Sequence, residues 1–214
     1  MDFTAFMQQM LNGFSLGSMY ALVAIGYTMV YGVLRLINFA HGDVLMVGAF
    51  LGFFGIAVLE LPFFAAVLLA IGGSALLGVM IDRIAYKPLR EAPRISLLIT
   101  AIGVSFFLEN AFNVFFGGVP RAFPVPNFTE QIIHMGGLIF SVASIMVPLV
   151  TLVLLAIILA ILFKTKYGMA IRALAFDAQT VNLMGIDANR IFAVVFALGS
   201  ALAAVGGIFW ALNY

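Results

Sequence analysis

Charge is scarce in this 214-residue sequence: 9% of residues are charged and 64% are hydrophobic, whereas about a quarter of a soluble domain is charged. With a mean hydropathy of +1.20, this excludes a water-soluble globule and leaves an integral membrane protein. Cysteine is absent, which excludes disulfides, thiolate metal sites and a cysteine nucleophile. A net charge of +1 gives no basic surface for nucleic acid. The opening MDFTAFMQQM holds no Lys or Arg, so the basic start of a cleaved signal peptide is missing and the first apolar stretch is expected to be retained.

What the sequence has instead is long apolar runs. A hydrocarbon core of about 30 Å needs about 20 residues of helix, and six stretches qualify, near 9–32, 44–60, 62–82, 95–116, 141–163 and 191–212. The expected fold is an all-α polytopic helix bundle, a single transmembrane domain over residues 1–214. The second stretch is short and glycine-rich, and only Glu60, Leu61 and Pro62 separate it from the third, so the two read as a tight helical hairpin with proline at the turn. Stripes of small residues (Gly13 and Gly17; Gly48, Gly52 and Gly55; Ser74 and Gly78; Gly199, Ala203 and Gly207) have the spacing at which membrane helices approach closely.

Short loops rich in Lys and Arg stay on the cytoplasmic side. Arg83, Lys87, Arg90 and Arg94 occupy one loop, and Lys164, Lys166, Arg172 and Arg190 occupy the segment 164–190. Two spans separate these loops, so both are expected inside. The loop 117–140, with only Arg121, is then external, and so is the N-terminus.

Polar residues inside apolar surroundings are the candidate functional groups, because charge at membrane depth is costly and normally faces protein or water. Glu109, Asn110 and Asn113 fall together in FFLENAFNVFF. The asparagines suit hydrogen bonds between helices as well as a lined pathway, and Glu109 suits burial, pairing with a cation, or a watery boundary. The stretch RLINFAHGD, residues 35–43, invites a metal or catalytic reading through His41 and Asp43. That reading is weak for want of co-ligands: no HExxH is present, and the other histidine, His134, lies in the expected external loop. No catalytic residue is assigned, and no phosphate-cradling GxxxxGK[ST] occurs, so any ATP is hydrolysed by a partner. Geometry supplies a better role. Asn, Gly and Asp favour turns and caps, so Asn38, Gly42 and Asp43 mark a break in which Asp43 caps a helix from Val44 and Gly42 permits the bend. Irregular backbone at that depth must line protein or a water-filled cavity.

Residues 167–187 read as one helix, with Ile171, Leu174, Ala175, Ala178 and Val181 gathered on one side. Phe176 and Leu183 form a separate apolar pair, and Gly168 and Gly185 bracket the segment. An amphipathic helix on the membrane surface accounts for the stripe. A helix buried on two faces, the second in the groove of a soluble partner, accounts for both sets.

Residues 20–50, YALVAIGYTMVYGVLRLINFAHGDVLMVGAF, closely resemble the N-terminal signature of LivH-type permeases of ABC importers for branched-chain amino acids and related amides or urea. IDRIAYKPLR, LITAIGVSFFLEN and the run from Tyr167 to Phe209 are similar to the same family in the same order. The resemblance implies a permease subunit in the inner membrane, in contact with lipid. It implies as partners a second related permease, two ATP-binding subunits that hold ATP and Mg, and a periplasmic substrate-binding protein, with no cofactor in this chain. It places Arg172, Asp177, Gly185 and Ile186 at the ATPase contact, with Phe176 and Leu183 as apolar knobs. Phe176 stands where such loops often carry an acidic or amide residue, and Glu109 where glutamine is expected. Family members also continue beyond FWALNY, so further helices are expected of a complete permease. The readings that compete are a secondary transporter or channel using Glu109 and the 35–43 break, and a membrane-embedded enzyme using His41 and Asp43.

Overall fold

The computed structural model describes residues 3–126, 129 and 131–213. Its helices are α1 (Phe3–Leu34), α2 (His41–Ala57), α3 (Phe63–Ile81), α4 (Arg94–Phe116), α5 (Val142–Lys164), α6 (Lys166–Phe176), α7 (Ala178–Leu183) and α8 (Ala188–Asn213), with a hairpin of β1 (Ile132–Met135) and β2 (Leu138–Ser141) before α5. Five of these helices are long and apolar enough to cross a membrane, and α2, at 17 residues, is shorter. The all-α polytopic bundle expected from the apolar runs is therefore present.

Several boundaries differ from expectation. The second span begins at His41 rather than Val44 and ends at Ala57. The third continues past Ile81 through a π turn over Asp82–Tyr86 and a 3₁₀ turn over Lys87–Leu89, so half of the expected basic loop is helical. Pro62 precedes α3 in extended conformation and its carbonyl accepts from Ala65 and Ala66, as a proline at a helix start should. The loop after α4 contains the antiparallel β1–β2 hairpin. Its signal was in the sequence: two apolar runs flank Gly136-Gly137, and both glycines have positive φ (59° and 83°) as a tight hairpin turn requires.

The core forms around α8, which packs against α1, α2 and α3. Missing side chains make the approach possible. A Cβ on Gly48 would stand 2.5 Å from Ala204 Cα, one on Gly26 2.7 Å from the Gly199 carbonyl oxygen, and one on Gly207 2.3 Å from that of Leu45. Ser74 is buried, and a Cβ on Gly78 would collide with Ser200. Three of the four small-residue stripes are thus helix contacts. The fourth is not: among the described residues, no other element comes within 4 Å of a Cβ position on Gly13 or Gly17.

The same contacts show α1 and α3 running antiparallel to α8 and α2 parallel to it. One end of the bundle therefore collects the C-termini of α1, α3 and α5, the N-termini of α2, α4 and α8, and all of α6 and α7. Nine of the ten cations lie there: Arg35, Arg83, Lys87, Arg90, Arg94, Lys164, Lys166, Arg172 and Arg190. Arg121 lies at the other end with the hairpin. The Gln8 side chain of α1 holds that hairpin by donating to the Ile139 carbonyl at 2.6 Å and accepting from the Ile139 N–H at 2.8 Å.

Candidate translocation and coupling site

The break between α1 and α2 is made by Arg35, whose φ of 54° places it in the left-handed region while its N–H bonds to the Tyr31 carbonyl at 2.7 Å. Non-glycine residues rarely adopt that conformation, and the surroundings fix it. The Arg35 guanidinium donates to the carbonyls of Ala175 (2.8 Å) and Phe176 (3.2 Å), the last two residues of α6. A cation at a helix C-terminus also meets the negative end of the helix dipole.

Beyond the break the polar side chains turn inward. Asn38 is buried and accepts a hydrogen bond from the buried Tyr86 hydroxyl at 2.9 Å, and the Tyr86 ring packs on Phe196 with centroids 5.3 Å apart. His41 is buried with Nε2 3.3 Å from the Val23 carbonyl and its ring edge-on to Tyr27 at 5.7 Å. The expected roles of Gly42 and Asp43 do not hold. The helix is already under way at His41, its N-cap Ala40 makes no side-chain cap, and Asp43 sits inside the first turn. Gly42 is helical and exposed with open space around it, so the bend owes nothing to it. Asp43 is buried; it faces Ser105 of α4 and lies within electrostatic reach of Glu109. One of its carboxylate oxygens, Oδ2, has no hydrogen-bond partner.

Glu109, Asn110 and Asn113 are exposed on α4, and Asn110 bonds to the Phe106 carbonyl of its own helix at 2.7 Å. Among the described residues the asparagines do not join helices. Glu109 and Asn113 instead line, with Met46 and Phe50 of α2, a cleft of about 390 Å³ at the end of the bundle opposite the cations. Phe50 and Phe112 form its aromatic wall, with ring centroids 5.1 Å apart, and the Phe116 ring packs on both at 5.4 and 5.1 Å.

At the cation-rich end the segment after α5 is not one helix. It breaks at Asp177, which is extended and whose carboxylate accepts from the Thr180 N–H (3.3 Å) and hydroxyl (2.5 Å), so that it caps α7. A short acceptor side chain competes with the helical ladder and wins by starting a new helix. The stripe still serves as the buried side, since Ile171, Leu174 and Val181 are core residues. Phe176 (87% exposed), Leu183 (88%) and Met184 (75%) are left uncovered. Arg172 is exposed, with its guanidinium 5.0 Å from the Phe163 ring centre. Gly185 takes a φ of 79°, and the half-buried Ile186 N–H returns to the Val181 carbonyl at 3.3 Å. Asn182 Oδ1 then accepts from the Ala188 N–H at 3.1 Å, where α8 begins.

A family profile described as "Branched-chain amino acid transport system / permease component" matches residues 9–214. The chain belongs to this family. The permease protein BraD of the high-affinity branched-chain amino acid transport system of Pseudomonas aeruginosa is 38% identical over 220 residues, covering 98% of this chain and 72% of that protein. The corresponding LivH proteins of Escherichia coli and Salmonella typhimurium are 37% identical over 230 residues, covering 97% of this chain and 71% of each relative. No solved structure matches.

A permease component is a transport subunit and not an enzyme. Among the described residues no group of three His, Asp or Glu side chains is placed to hold a metal ion. In this permease component several interactions join segments too distant in sequence for pattern reading to connect. Arg35 reaches α6 across 140 residues. Arg90 pairs with the buried Asp82, donates to Asn189 Oδ1 at 2.5 Å, and lies 3.8 Å over the Phe192 ring. Two opposite charges eight residues apart at the edge of an apolar run were the one visible hint.

Proposed function

We propose that this chain is the membrane-spanning permease subunit of an ABC importer for branched-chain amino acids, working with a second related permease, two ATP-binding subunits and a substrate-binding protein. The cation-rich end faces the cytoplasm of a cell whose inner membrane the bundle crosses, in keeping with the bias of Lys and Arg toward cytoplasmic loops. ATP and Mg are held by the ATP-binding subunits, and the substrate-binding protein meets the end that carries the hairpin.

The single observation that carries the mechanism is the apolar surface of Phe176, Leu183 and Met184, exposed at the cation-rich end on a segment tied to the rest of the bundle. Apolar knobs of this kind fit a groove of a soluble partner. Arg172, Asp177, Gly185 and Ile186 shape that contact: Asp177 sets the turn between α6 and α7, and Gly185 sets the return into α8. Motion of the ATPases reaches α1 through Arg35 and α8 through Asn182 and Ala188. A shift in population between outward- and inward-open arrangements then moves the solute. The pathway runs past the break at residues 35–43 and along the α2–α4 seam, where Asp43, Glu109 and Asn113 gather, while Asn38 and His41 hold the break in place.

The test uses the complete importer in proteoliposomes. Phe176→Asp and Gly185→Pro are expected to lower leucine uptake per ATP hydrolysed at least tenfold while the subunit still inserts; unchanged coupling in both sinks the proposal.

A further inference from the structure

A groove of about 500 Å³ runs between α1 and α5 and ends at α6. Its sides are apolar: Ala24, Thr28 and Gly32 of α1 line one, and Leu155, Leu159 and Leu162 of α5 the other. The hydroxyl on this surface is already used, because Thr28 donates to the Ala24 carbonyl at 2.6 Å. Lining positions on α1 run from Ala21 to Val33, about 18 Å of helix at about 1.5 Å per residue. That is close to one leaflet of a hydrocarbon core about 30 Å thick. Ala24, Thr28, Gly32 and Leu159 are exposed, so the groove opens sideways toward lipid.

The charged residue that lines the groove is Arg172, at the cation-rich end. Its guanidinium lies 5.0 Å from the ring centre of Phe163, the residue before α5 ends at Lys164. Arg172 is thereby held at the depth where the apolar span gives way to headgroups. Among the described residues no carboxylate pairs with it. α1, α5 and α6 contain no Asp or Glu, whereas Lys164, Lys166 and Arg172 all fall at this end.

A long apolar slot with one cation at its mouth fits an amphiphile with a negative head. A polar solute finds no hydrogen-bond partner along the slot and would be desolvated without return. A helix of another subunit, about 10–12 Å across, covers the apolar sides but does not of itself bring the anion. Anionic headgroups are drawn to basic pockets between helices at the cytoplasmic face, and each cation adds to the attraction. We infer that the α1–α5 groove is a binding site for an anionic phospholipid, with one acyl chain between α1 and α5 and the phosphate on Arg172. Lys164 and Lys166 add to the field that attracts it. The lipid bridges α6 to α1 and α5, beside the bonds that Arg35 makes to the carbonyls of Ala175 and Phe176. It therefore holds the α6 segment against the bundle, and coupled uptake depends on it. The site requires only that the chain spans a membrane; its effect on uptake rests on the permease reading.

The experiment places the complete importer in phosphatidylcholine vesicles that contain a trace of phosphatidylglycerol or phosphatidylcholine, each with the same photoreactive acyl chain, and maps the labelled peptides. In the wild type, residues 21–33 and 155–162 are expected to take about fivefold more label from the phosphatidylglycerol probe, the effect of one cation on an anionic lipid. Gly32→Phe fills the groove from a position with open space around its Cβ, and Ala24→Phe fills it from a second exposed position. Both should cut the phosphatidylglycerol label at least fivefold. Arg172→Gln, which also touches the coupling contact, is read by labelling alone and should bring the two probes within twofold of each other. Leucine uptake by the wild type should rise severalfold when phosphatidylglycerol is added in bulk, and should stay at the low rate in both filled-groove variants. The inference is overturned by equal labelling from the two probes in the wild type, by an undiminished preference in Arg172→Gln, or by undiminished label in both filled-groove variants. It is also overturned by loss of the second permease from both filled-groove complexes, which would make the groove a subunit contact, and uptake indifferent to phosphatidylglycerol overturns the bridging of α6. The expected labelling without any leucine uptake by the wild type is a different result, since it upholds the lipid site and overturns the permease reading.

Discussion

Helices α8 and α4 have similar lengths, 26 and 23 residues, and both are apolar enough to span a membrane, yet 78% of the span window of α8 is buried and only 17% of that of α4. Hydropathy does not explain the difference, because α5 has the highest value of any span, 3.1, and is 22% buried. Residue size does. Eleven of the 26 residues of α8 are Gly, Ala or Ser, against five of 23 in α4, where phenylalanine accounts for another five. Lipid is as apolar as leucine, so the interior of a membrane bundle is chosen by close packing and polar pairing rather than by expulsion from water. α8 is the scaffold on which α1, α2 and α3 assemble. α4 presents groups outward for something else to meet.

That contrast can be broken most severely at the ion pair beside α8. Asp82→Ala removes the carboxylate that compensates Arg90, leaving a largely buried guanidinium over Phe192. Losing one partner of such a pair costs about 3–5 kcal/mol, and the subunit is expected to lose its monodisperse peak on gel filtration. A monodisperse, wild-type profile would show that water already reaches this pair. Next in size is a paired substitution. Gly207→Leu forces a side chain against the Leu45 carbonyl, whereas Gly103→Leu on α4 enters open space. Overpacking costs about 1–3 kcal/mol, so the thermal midpoint in detergent should fall clearly for the first and stay near wild type for the second. Equal midpoints would erase the distinction between the two helices. The smallest effect belongs to Tyr86→Phe, which deletes the hydrogen bond to Asn38 without a cavity. A loss of about 1 kcal/mol is expected, read as a small drop in the same midpoint. No drop would mean that Asn38 finds another donor.

How much of the site was legible in the sequence varies residue by residue. The cluster of polar residues at 35–43 was visible, and so was the break, but the assignment within it was not. Turn propensity favours Gly42 and Asp43, yet the backbone reversal falls on Arg35 because α6 supplies two carbonyls for its guanidinium. The apolar stripe of the segment after α5 was readable from its period. The division at Asp177 was not, since a helical period continues across a cap that costs it only one residue. The pairing of three small-residue stripes could be anticipated as a tendency, while the openness of Gly13 and Gly17 could not, because spacing says nothing about whether another helix is there.

The sequence by itself determined the solvent, the number of apolar spans and the placement of the cations, because each depends on composition along a run about as long as a membrane is thick. Family membership was carried by the motifs, in order along the chain. The tertiary structure alone decided which span became the core, which polar side chains were satisfied and which were left facing outward. Those outcomes depend on contacts between residues far apart in the chain, Arg35 with α6, Asn38 with Tyr86 and Asp43 with α4, and the period of a single helix carries no record of what packs against it.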